Sequence, residues 1–228
     1  METVVVTGAN RGIGLELCKA YLEAGWQVVA ACRDPDSAAA LQTLAGDALR
    51  VLPLDVASAN SVQTFRQALD KTPVDVLINN AGVMGGERQS LEDIDYDAWL
   101  ETFQVNSIAP HRVSSALLPN LRLSKRPRIL TISSQMGAFG LDMDSSPYAY
   151  CSSKTAASKV MQIMAKDLKE DGVVVCPVHP GWVQTDMGGP NAQLTAQQCA
   201  QGLLKLADGL DMSHSGRFWT WDGNEHVW

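Results

Sequence analysis

The chain has 228 residues, 46% apolar and 19% charged, which is enough for one large globular domain with a sizeable core. A net charge of −7, with no stripe of lysine and arginine to offset it, excludes a typical nucleic-acid-binding surface. The five cysteines are scattered without a Cys-x-x-Cys pair, no apolar run nears the roughly 18 residues of a membrane span, and no basic leader stands at the N-terminus, so we predict a cytoplasmic protein without a metal centre.

Short β-branched runs recur along the chain, each followed by a longer stretch with helical spacing. In chain order the strand candidates are TVVVTG, QVVAAC, LRVLPLDV, VDVLINNAG, RILTISS, GVVVCPVHPG and GRFWTW. Such alternation predicts a parallel sheet with helices on both faces, and Ser58 and Thr195 stand where helix N-caps are expected. We predict a single domain over residues 1–228, an α/β Rossmann fold with a doubly wound parallel sheet of about seven strands.

A glycine-rich turn, Thr7-Gly8-Ala9-Asn10-Arg11-Gly12-Ile13-Gly14, follows the first strand candidate and opens the first helix. Glycines permit close approach of the backbone to a ligand, and a helix N-terminus offers free N–H groups and the positive end of a dipole. The turn therefore predicts a pyrophosphate cradle. Its glycine spacing differs from the usual dinucleotide fingerprint, and a turn without a ligand is the alternative.

The end of the second strand candidate should meet the adenosine ribose, and it reads Cys32-Arg33-Asp34. An acidic residue there would bind the ribose hydroxyls of NAD, whereas arginine can bind the 2′-phosphate of NADP. Arg33 and Arg11 converge on this corner and favour a phosphate. Asp34 favours NAD, unless it caps the segment that follows. We predict NADPH as the cofactor, with NAD possible.

Tyr150 and Lys154 stand four residues apart where a polar loop gives way to a helical pattern, so they share one helix face. A lysine ammonium near a phenol stabilises phenolate and lowers its pKa from the ordinary value of about 10. That would make Tyr150 a usable general acid. The alternative is a packed tyrosine beside a solvated lysine. Tyr148 is the rival phenol, but Ser152 is four residues after it and carries no charge.

These motifs together resemble the short-chain dehydrogenase/reductase family, in the order that the family shows. The resemblance is carried by Thr7-Gly-x-x-x-Gly-x-Gly14, Asp55, Asn79-Asn80-Ala81-Gly82, Asn106, Ser134, Tyr150-x-x-x-Lys154 and Pro180-Gly181. The segments HPGWVQTDMGGP and SGRFWTWDGNEHVW further resemble the C-factor/sniffer-like carbonyl reductase branch.

The resemblance implies a catalytic set and a cofactor-binding set. The catalytic set is Asn106, Ser134, Tyr150 and Lys154. The cofactor-binding set is Gly8, Asn10, Arg11, Gly12, Ile13, Gly14, Arg33, Asp55, Val56, Asn79, Ala81, Gly82, Tyr150, Lys154, Pro180, Gly181, Val183 and Thr185. Two members have a structural alternative, because Asp55 could cap a helix and Asn79 could tie neighbouring strands.

Two catalytic assignments stay open at this stage. The serine would be a second hydrogen-bond donor to the carbonyl oxygen, and alternation along the strand lets only one of Ser133 and Ser134 serve. Ser134 fits the family spacing to Gly137, although its interval to Tyr150 is longer than usual. Asn106 is implied to hold a water for proton relay near Lys154, and a kink before Pro110 is the neutral alternative.

The candidate substrate wall is apolar and adaptable, and comprises Met136, Met143, Tyr148, Trp182 and Met187. In the family that this sequence resembles, the stretch after Thr185 often carries long helices that cover the substrate. Here only DMGGPNAQLTAQ stands before the next helix, which predicts a short cover and an open pocket for bulky or varied carbonyl compounds.

The predicted function is NADPH-dependent reduction of ketones and aldehydes. The alternatives are a dinucleotide-binding, C-factor-like signalling protein and an NAD-dependent alcohol dehydrogenase. Beyond a small-molecule substrate, the resemblance implies a homo-oligomer, a dimer or tetramer.

Overall fold

The computed structural model describes residues 1–44, 46–141 and 147–228. The main sheet has seven parallel strands, β1 (Thr3–Thr7), β2 (Gln27–Cys32), β3 (Leu49–Pro53), β4 (Val76–Asn79), β5 (Arg128–Ile132), β6 (Val174–His179) and β9 (Trp219–Thr220). Their order across the sheet is β3-β2-β1-β4-β5-β6-β9. A separate parallel pair joins β7 (Val183–Gln184) to β8 (Leu194–Thr195). The predicted Rossmann fold with a doubly wound sheet is confirmed.

Helices cover both faces of the sheet. They are α1 (Gly12–Glu23), α2 (Ala39–Gln42), α3 (Ala59–Leu69), α4 (Tyr96–Phe103), α5 (Ala109–Leu121), α6 (Tyr148–Asp167) and α7 (Ala196–Gly209). A π-helical turn, Gln104–Ile108, joins α4 to α5, and a 3₁₀ turn, Gln135–Gly137, follows β5. The predicted caps are confirmed: Ser58 accepts a hydrogen bond from the N–H of Ser61, and Thr195 forms a capping box with Gln198.

The alternation of β1 explains why the sheet needs two helical layers. Val4 and Val6 belong to the core shared with α1 and α7, whereas Val5 belongs to the core shared with α3, α5 and α6. Since every β1 side chain is buried, neither face of the sheet could meet water without a large loss of hydrophobic stabilisation.

The strand order reverses direction between β1 and β4, and ligands of such sheets bind in the crevice outside the carboxyl ends at that point. The glycine-rich turn leaves the carboxyl end of β1, and Asn80 to Gly82 leave that of β4. Ser133 and Ser134 follow β5, and Pro180 follows β6. The fold thus gathers motifs from distant parts of the sequence at one edge.

Across residues 1–44, 46–141 and 147–228, no helix combines the length and the apolar character needed to cross a membrane. Within the same ranges, no group of three or more histidine, cysteine, aspartate and glutamate side chains is arranged to hold a metal ion.

Candidate active site

The glycine-rich turn is pressed against the segment that follows β4. Gly8 has a φ of +64°, and a Cβ atom at Gly14 would lie 2.2 Å from the Gly8 carbonyl oxygen, so a side chain at either position would strain or displace the turn. Asn80 holds the turn in place, because its Nδ2 donates to the carbonyls of Thr7 at 2.9 Å and Gly8 at 3.0 Å. Asn80 was not among the predicted site residues, although it stands inside the Asn-Asn-Ala-Gly motif.

The first turn of α1 has the features of an anion site. Arg11 is its N-cap and makes no side-chain capping bond, so the first N–H groups of the helix have no side-chain acceptor. They open into a cavity of about 340 Å³ that runs along the carboxyl ends of the strands. Free N–H groups, a close-packed glycine turn and a positive dipole end fit the pyrophosphate of a dinucleotide.

Most of the predicted cofactor residues line this cavity. They are Gly8, Asn10, Arg11, Gly12, Ile13, Arg33, Asp55, Val56, Ala81, Gly82, Tyr150, Lys154, Pro180 and Thr185. Lining residues that the sequence reasoning missed include Leu54, Asn80, Val83, Val105 and Asp186. Gly14, Asn79, Gly181 and Val183 are not among the lining residues, and their contacts are with the surrounding protein.

The structure favours the structural alternative for Asn79. Its side chain is buried, and its Nδ2 donates to Ser114 Oγ at 3.1 Å and to Thr131 Oγ1 at 3.4 Å. It therefore ties β4 to β5 and α5. The backbone of Gly181 lies against Leu194 and Trp221, which places it behind the cavity wall.

Two arginines, Arg11 and Arg33, lie at the corner of the cavity that is predicted to bind the ribose. Arg11 Nη1 pairs with Asp186 Oδ2 at 2.8 Å, on the exposed rim of the cavity. Arg33 is exposed and lines the cavity. Asp34 turns toward its own loop, where it accepts hydrogen bonds from the N–H groups of Asp36 and Ser37. A hydrogen bond from the Ser37 hydroxyl, together with these two, holds the pKa of the Asp34 carboxyl below its ordinary value.

Asp55 lines the cavity just after the end of β3. Its Oδ1 accepts a hydrogen bond from the N–H of Ala57 at 3.0 Å, and its own N–H donates to Ser61 Oγ. Ser58, not Asp55, is the N-cap of α3. The carboxylate is exposed and keeps acceptor capacity toward the cavity.

The two serines after β5 point in different directions. Ser133 Oγ is buried, lies 2.7 Å from Ser158 Oγ and donates to the carbonyl of Lys154 at 3.2 Å. Ser134 Oγ accepts a hydrogen bond from the N–H of Met136 and shares another with the side chain of Tyr150. Ser134 is therefore the serine whose hydroxyl lies beside the phenol.

The pKa of Tyr150 is raised above its ordinary value because burial disfavours phenolate, and the hydrogen bond with Ser134 opposes that rise. The predicted net lowering of this pKa is therefore wrong, because burial has the larger effect. Lys154 Nζ lies 5.6 Å from the centre of the Tyr150 ring and donates to the carbonyl of Ile132 at 2.7 Å. Burial lowers the pKa of Lys154 to about 8, so its charge changes near neutral pH.

Asn106 lies in the π-helical turn that interrupts the α-helical backbone just before Pro110. Its Oδ1 accepts from the N–H of Val83 at 2.9 Å, and its Nδ2 donates to the Val83 carbonyl and to Ser153 Oγ. Pro110 has no N–H group, so the main-chain carbonyl of Asn106 lacks the donor that an α-helix would supply. The Asn106 side chain is thus engaged in hydrogen bonds within the protein, whereas its main-chain carbonyl can still accept a hydrogen bond from a water.

The predicted substrate wall is divided. Met136 and Tyr148 line an open groove of about 1190 Å³ between residues 87–93, the 136–139 turn and one face of α6. Met187 lines the other cavity, the one along the carboxyl ends of the strands. Trp182 is about half exposed, and its Nε1 donates to the carbonyl of Gly188 rather than toward either space. Met143 lies outside the described residues. Residues 185–195, all described, contain no helix, as predicted for a short cover.

Known proteins resemble this chain in sequence and in fold. Residues 2–195 match the family model of the short chain dehydrogenases. The C-signal of Myxococcus xanthus is 46% identical over 156 residues, covering 68% of this chain and 93% of its own. The carbonyl reductase Sniffer of D. melanogaster superposes with a TM-score of 0.94 at 27% identity, over the whole of both chains. An NADPH-bound carbonyl reductase from chicken fatty liver has a TM-score of 0.92 at 31% identity, covering 100% of this chain and 99% of its own.

Proposed function

Because the chain belongs to the short-chain dehydrogenase family, we propose that it reduces ketone and aldehyde carbonyls to alcohols with NADPH. The observation that carries the proposal is that Tyr150 and Lys154 line the cavity at the carboxyl ends of the strands, with the Ser134 hydroxyl beside the phenol. A protein that only bound a dinucleotide would have no use for a hydroxyl, a phenol and a buried ammonium at that point. The carbonyl reductases with the same fold add support.

Bound NADPH would supply the hydride that adds to the carbonyl carbon. The residues of this chain handle the oxygen. The Ser134 hydroxyl donates a hydrogen bond to the oxygen as negative charge develops there, and Tyr150 Oη transfers its proton to that oxygen. Lys154 stabilises the resulting phenolate by its charge. The main-chain carbonyl of Asn106 would hold a water that returns a proton from solvent.

The main-chain N–H groups at the start of α1 would hold the pyrophosphate, and Arg33 and Arg11 would bind the 2′-phosphate of NADPH. The inward turn of Asp34 supports NADPH over NAD, because a carboxylate engaged with its own loop is not directed at the ribose hydroxyls. Asp55 would accept from the adenine amino group, and Thr185 would hold the carboxamide.

The test is turnover of NADPH with a panel of ketones and aldehydes. We expect absorbance loss with wild type, and no measurable loss after Tyr150→Phe, which removes only the transferable proton. Tyr148→Phe is the matched control and should retain activity, because its phenol lies on the groove side of α6. No turnover across a broad panel, or full activity of Tyr150→Phe, would refute the proposal.

The similarity to C-signal favours a second candidate, a dinucleotide-binding signalling protein. In that case NADPH would bind with unchanged affinity to Tyr150→Phe, and the biological response would survive the substitution. An NAD-dependent alcohol dehydrogenase would instead bind NADH as tightly as NADPH and would not respond to Arg33→Ala. A titration with both cofactors separates these outcomes.

A further inference from the structure

The helix that carries Tyr150 begins without a cap of its own. α6 starts at Tyr148, and its N-cap residue is Pro147, which makes no side-chain capping bond. The first N–H groups of a helix have no acceptor within the helix, and an uncapped start costs stability. The acceptor for this catalytic helix must therefore come from elsewhere in the chain.

Gln89 supplies that acceptor from a loop 60 residues earlier. Its Oε1 accepts from the N–H of Ala149 at 3.0 Å and from the N–H of Tyr150 at 3.2 Å. These are the second and third residues of α6, the same two positions that an N-cap side chain normally serves. Gln89 therefore caps the catalytic helix from outside it.

The amino group of the same carboxamide donates hydrogen bonds to the loop after β4. Gln89 Nε2 donates to the carbonyls of Met84 and Gly86, both at 2.8 Å. Two N–H groups require the oxygen and two carbonyls require the amino group, so the orientation of the amide follows from its partners. Few side chains have their whole hydrogen-bonding capacity satisfied in this way, and the half-buried Gln89 is one.

A second amide holds the other end of this loop to the same helix. Asn106 bonds both main-chain groups of Val83 and donates to Ser153 Oγ, which in turn donates to the carbonyl of Tyr150 at 2.7 Å. The N–H of Tyr150 is therefore fixed by Gln89, and its carbonyl by Ser153 and Asn106. The N–H of the proton donor is thus held directly by an amide from outside α6, and its carbonyl is held indirectly, through a serine of α6 that a second outside amide contacts.

We propose that Gln89 is a positioning residue for Tyr150, which fixes the first turn of α6 against residues 83–86 and so sets the position of the phenol relative to Ser134. The inference rests on the proposed reductase function, since it concerns the geometry of that proton transfer. A displacement of about 1 Å at a reacting group can cost on the order of 10²-fold in rate. Loss of this cap should therefore appear in turnover before it appears in cofactor affinity.

The experiment compares Gln89→Leu with Gln198→Leu. Gln198 is the matched control because it belongs to the capping box of α7, a helix without a catalytic residue. We expect Gln89→Leu to lower kcat by about tenfold or more, with the KM for the carbonyl and the Kd for NADPH within about threefold of wild type. Gln198→Leu should leave all three unchanged. Equal kcat for Gln89→Leu and wild type would overturn the proposal.

Gln89→Met gives a readout that a merely structural role would not move. Methionine has about the length of glutamine and adds no charge, but it removes the amide that accepts from the N–H groups of Ala149 and Tyr150. We expect the pH at which Tyr150 deprotonates, measured as the rising limb of alcohol oxidation, to move upward by about half a unit or more, because a displaced phenol loses the hydrogen bond with Ser134 that favours phenolate. A lower melting temperature with an unmoved limb would contradict the inference, and this variant also serves if Gln89→Leu does not fold.

If wild type shows no turnover, the reductase proposal fails, and Gln89 is then tested by phenolate absorbance. Subtracting the spectrum of the Tyr150→Phe variant in each Gln89 background isolates the titration of Tyr150. A higher titration midpoint in Gln89→Met than in wild type supports the positioning role. Superimposable titrations overturn it, independently of any activity.

Discussion

The nucleotide side and the catalytic side of the cleft are held by different kinds of contact. On the nucleotide side, the main chain of Gly8 and Gly14 packs tightly, and one side chain, Asn80, braces it. On the catalytic side, the helix bearing Tyr150 is held by side chains from distant loops, chiefly Gln89 and Asn106.

This difference sets what a substitution should do in each region. A backbone cradle binds phosphate through N–H groups that no side-chain change removes, so nucleotide-side substitutions at the rim should adjust affinity. Side-chain bonds on the catalytic side fix the distances between reacting groups, so substitutions there should lower turnover with little effect on cofactor binding.

The largest expected effect is at Lys154, whose ammonium is buried between the two regions. We expect Lys154→Met to lower kcat by about 10²–10⁴-fold, because the phenolate then loses its only nearby cation among the described residues that line the cavity at Tyr150. Lys166→Met, at an exposed position of the same helix, is the control and should be neutral. Steady-state kinetics with NADPH measure both, and a loss below tenfold would argue against a catalytic lysine.

The pH dependence follows from the lowered pKa of Lys154. With a folded pKa of about 8 and an ordinary value of 10.5, the side chain loses its charge in the folded protein well before it does in the unfolded chain. The unfolded chain then binds more protons between these values, so the stability of wild type relative to Lys154→Met should rise with pH across this window. Carbonyl reduction should fall above about pH 8 as the cation disappears. Chemical denaturation and pH–rate profiles measure the two trends.

The next largest effect separates the two serines. Ser134→Ala removes the hydroxyl beside the phenol and should lower kcat by about 10²–10³-fold. Ser133→Ala should leave kcat nearly unchanged and cost about 1 kcal/mol of stability, because it leaves Ser158 Oγ without its buried partner. Kinetics and denaturation on the same preparations test this, and similar kinetic losses for both variants would mean that the assignment of roles is incorrect.

The same contrast explains what the sequence could predict. The local backbone determines where glycines lie at the start of a helix. It also places a tyrosine and a lysine on one face when they are one turn apart. The placement of both groups therefore follows from a few neighbouring residues. Gln89 reaches α6 across 60 residues, and Asp186 reaches Arg11 across 175, and no local pattern signals either contact. Trp182 was assigned to the substrate wall on composition alone, but its indole N–H is used by Gly188. The fold and cradle were therefore predictable, whereas the bracing contacts were not.

On the nucleotide side, Arg33→Ala should weaken NADPH binding by about tenfold and leave NADH binding within about twofold. A charge-assisted bond to the 2′-phosphate contributes roughly 1.5–3 kcal/mol, and NADH has no such phosphate. Arg66→Ala is the control, since that arginine lies in α3 away from the lining residues. Fluorescence titration gives both constants. An equal effect on the two cofactors would assign Arg33 a role unrelated to the phosphate.

The smallest expected effect is at Asp186, which pairs with Arg11 on the exposed rim. Such exposed pairs contribute little to stability, so Asp186→Asn should leave the melting temperature unchanged. It should release Arg11 toward the 2′-phosphate and remove a negative charge from the rim, so that NADPH binds about two- to fivefold more tightly while NADH changes less. The gain for NADPH over NADH should vanish in the Arg11→Ala background, which a double-mutant cycle of cofactor titrations can measure. Weaker NADPH binding in Asp186→Asn would instead mean that the carboxylate holds Arg11 in its binding position, so that the pair belongs to the cradle rather than competing with it.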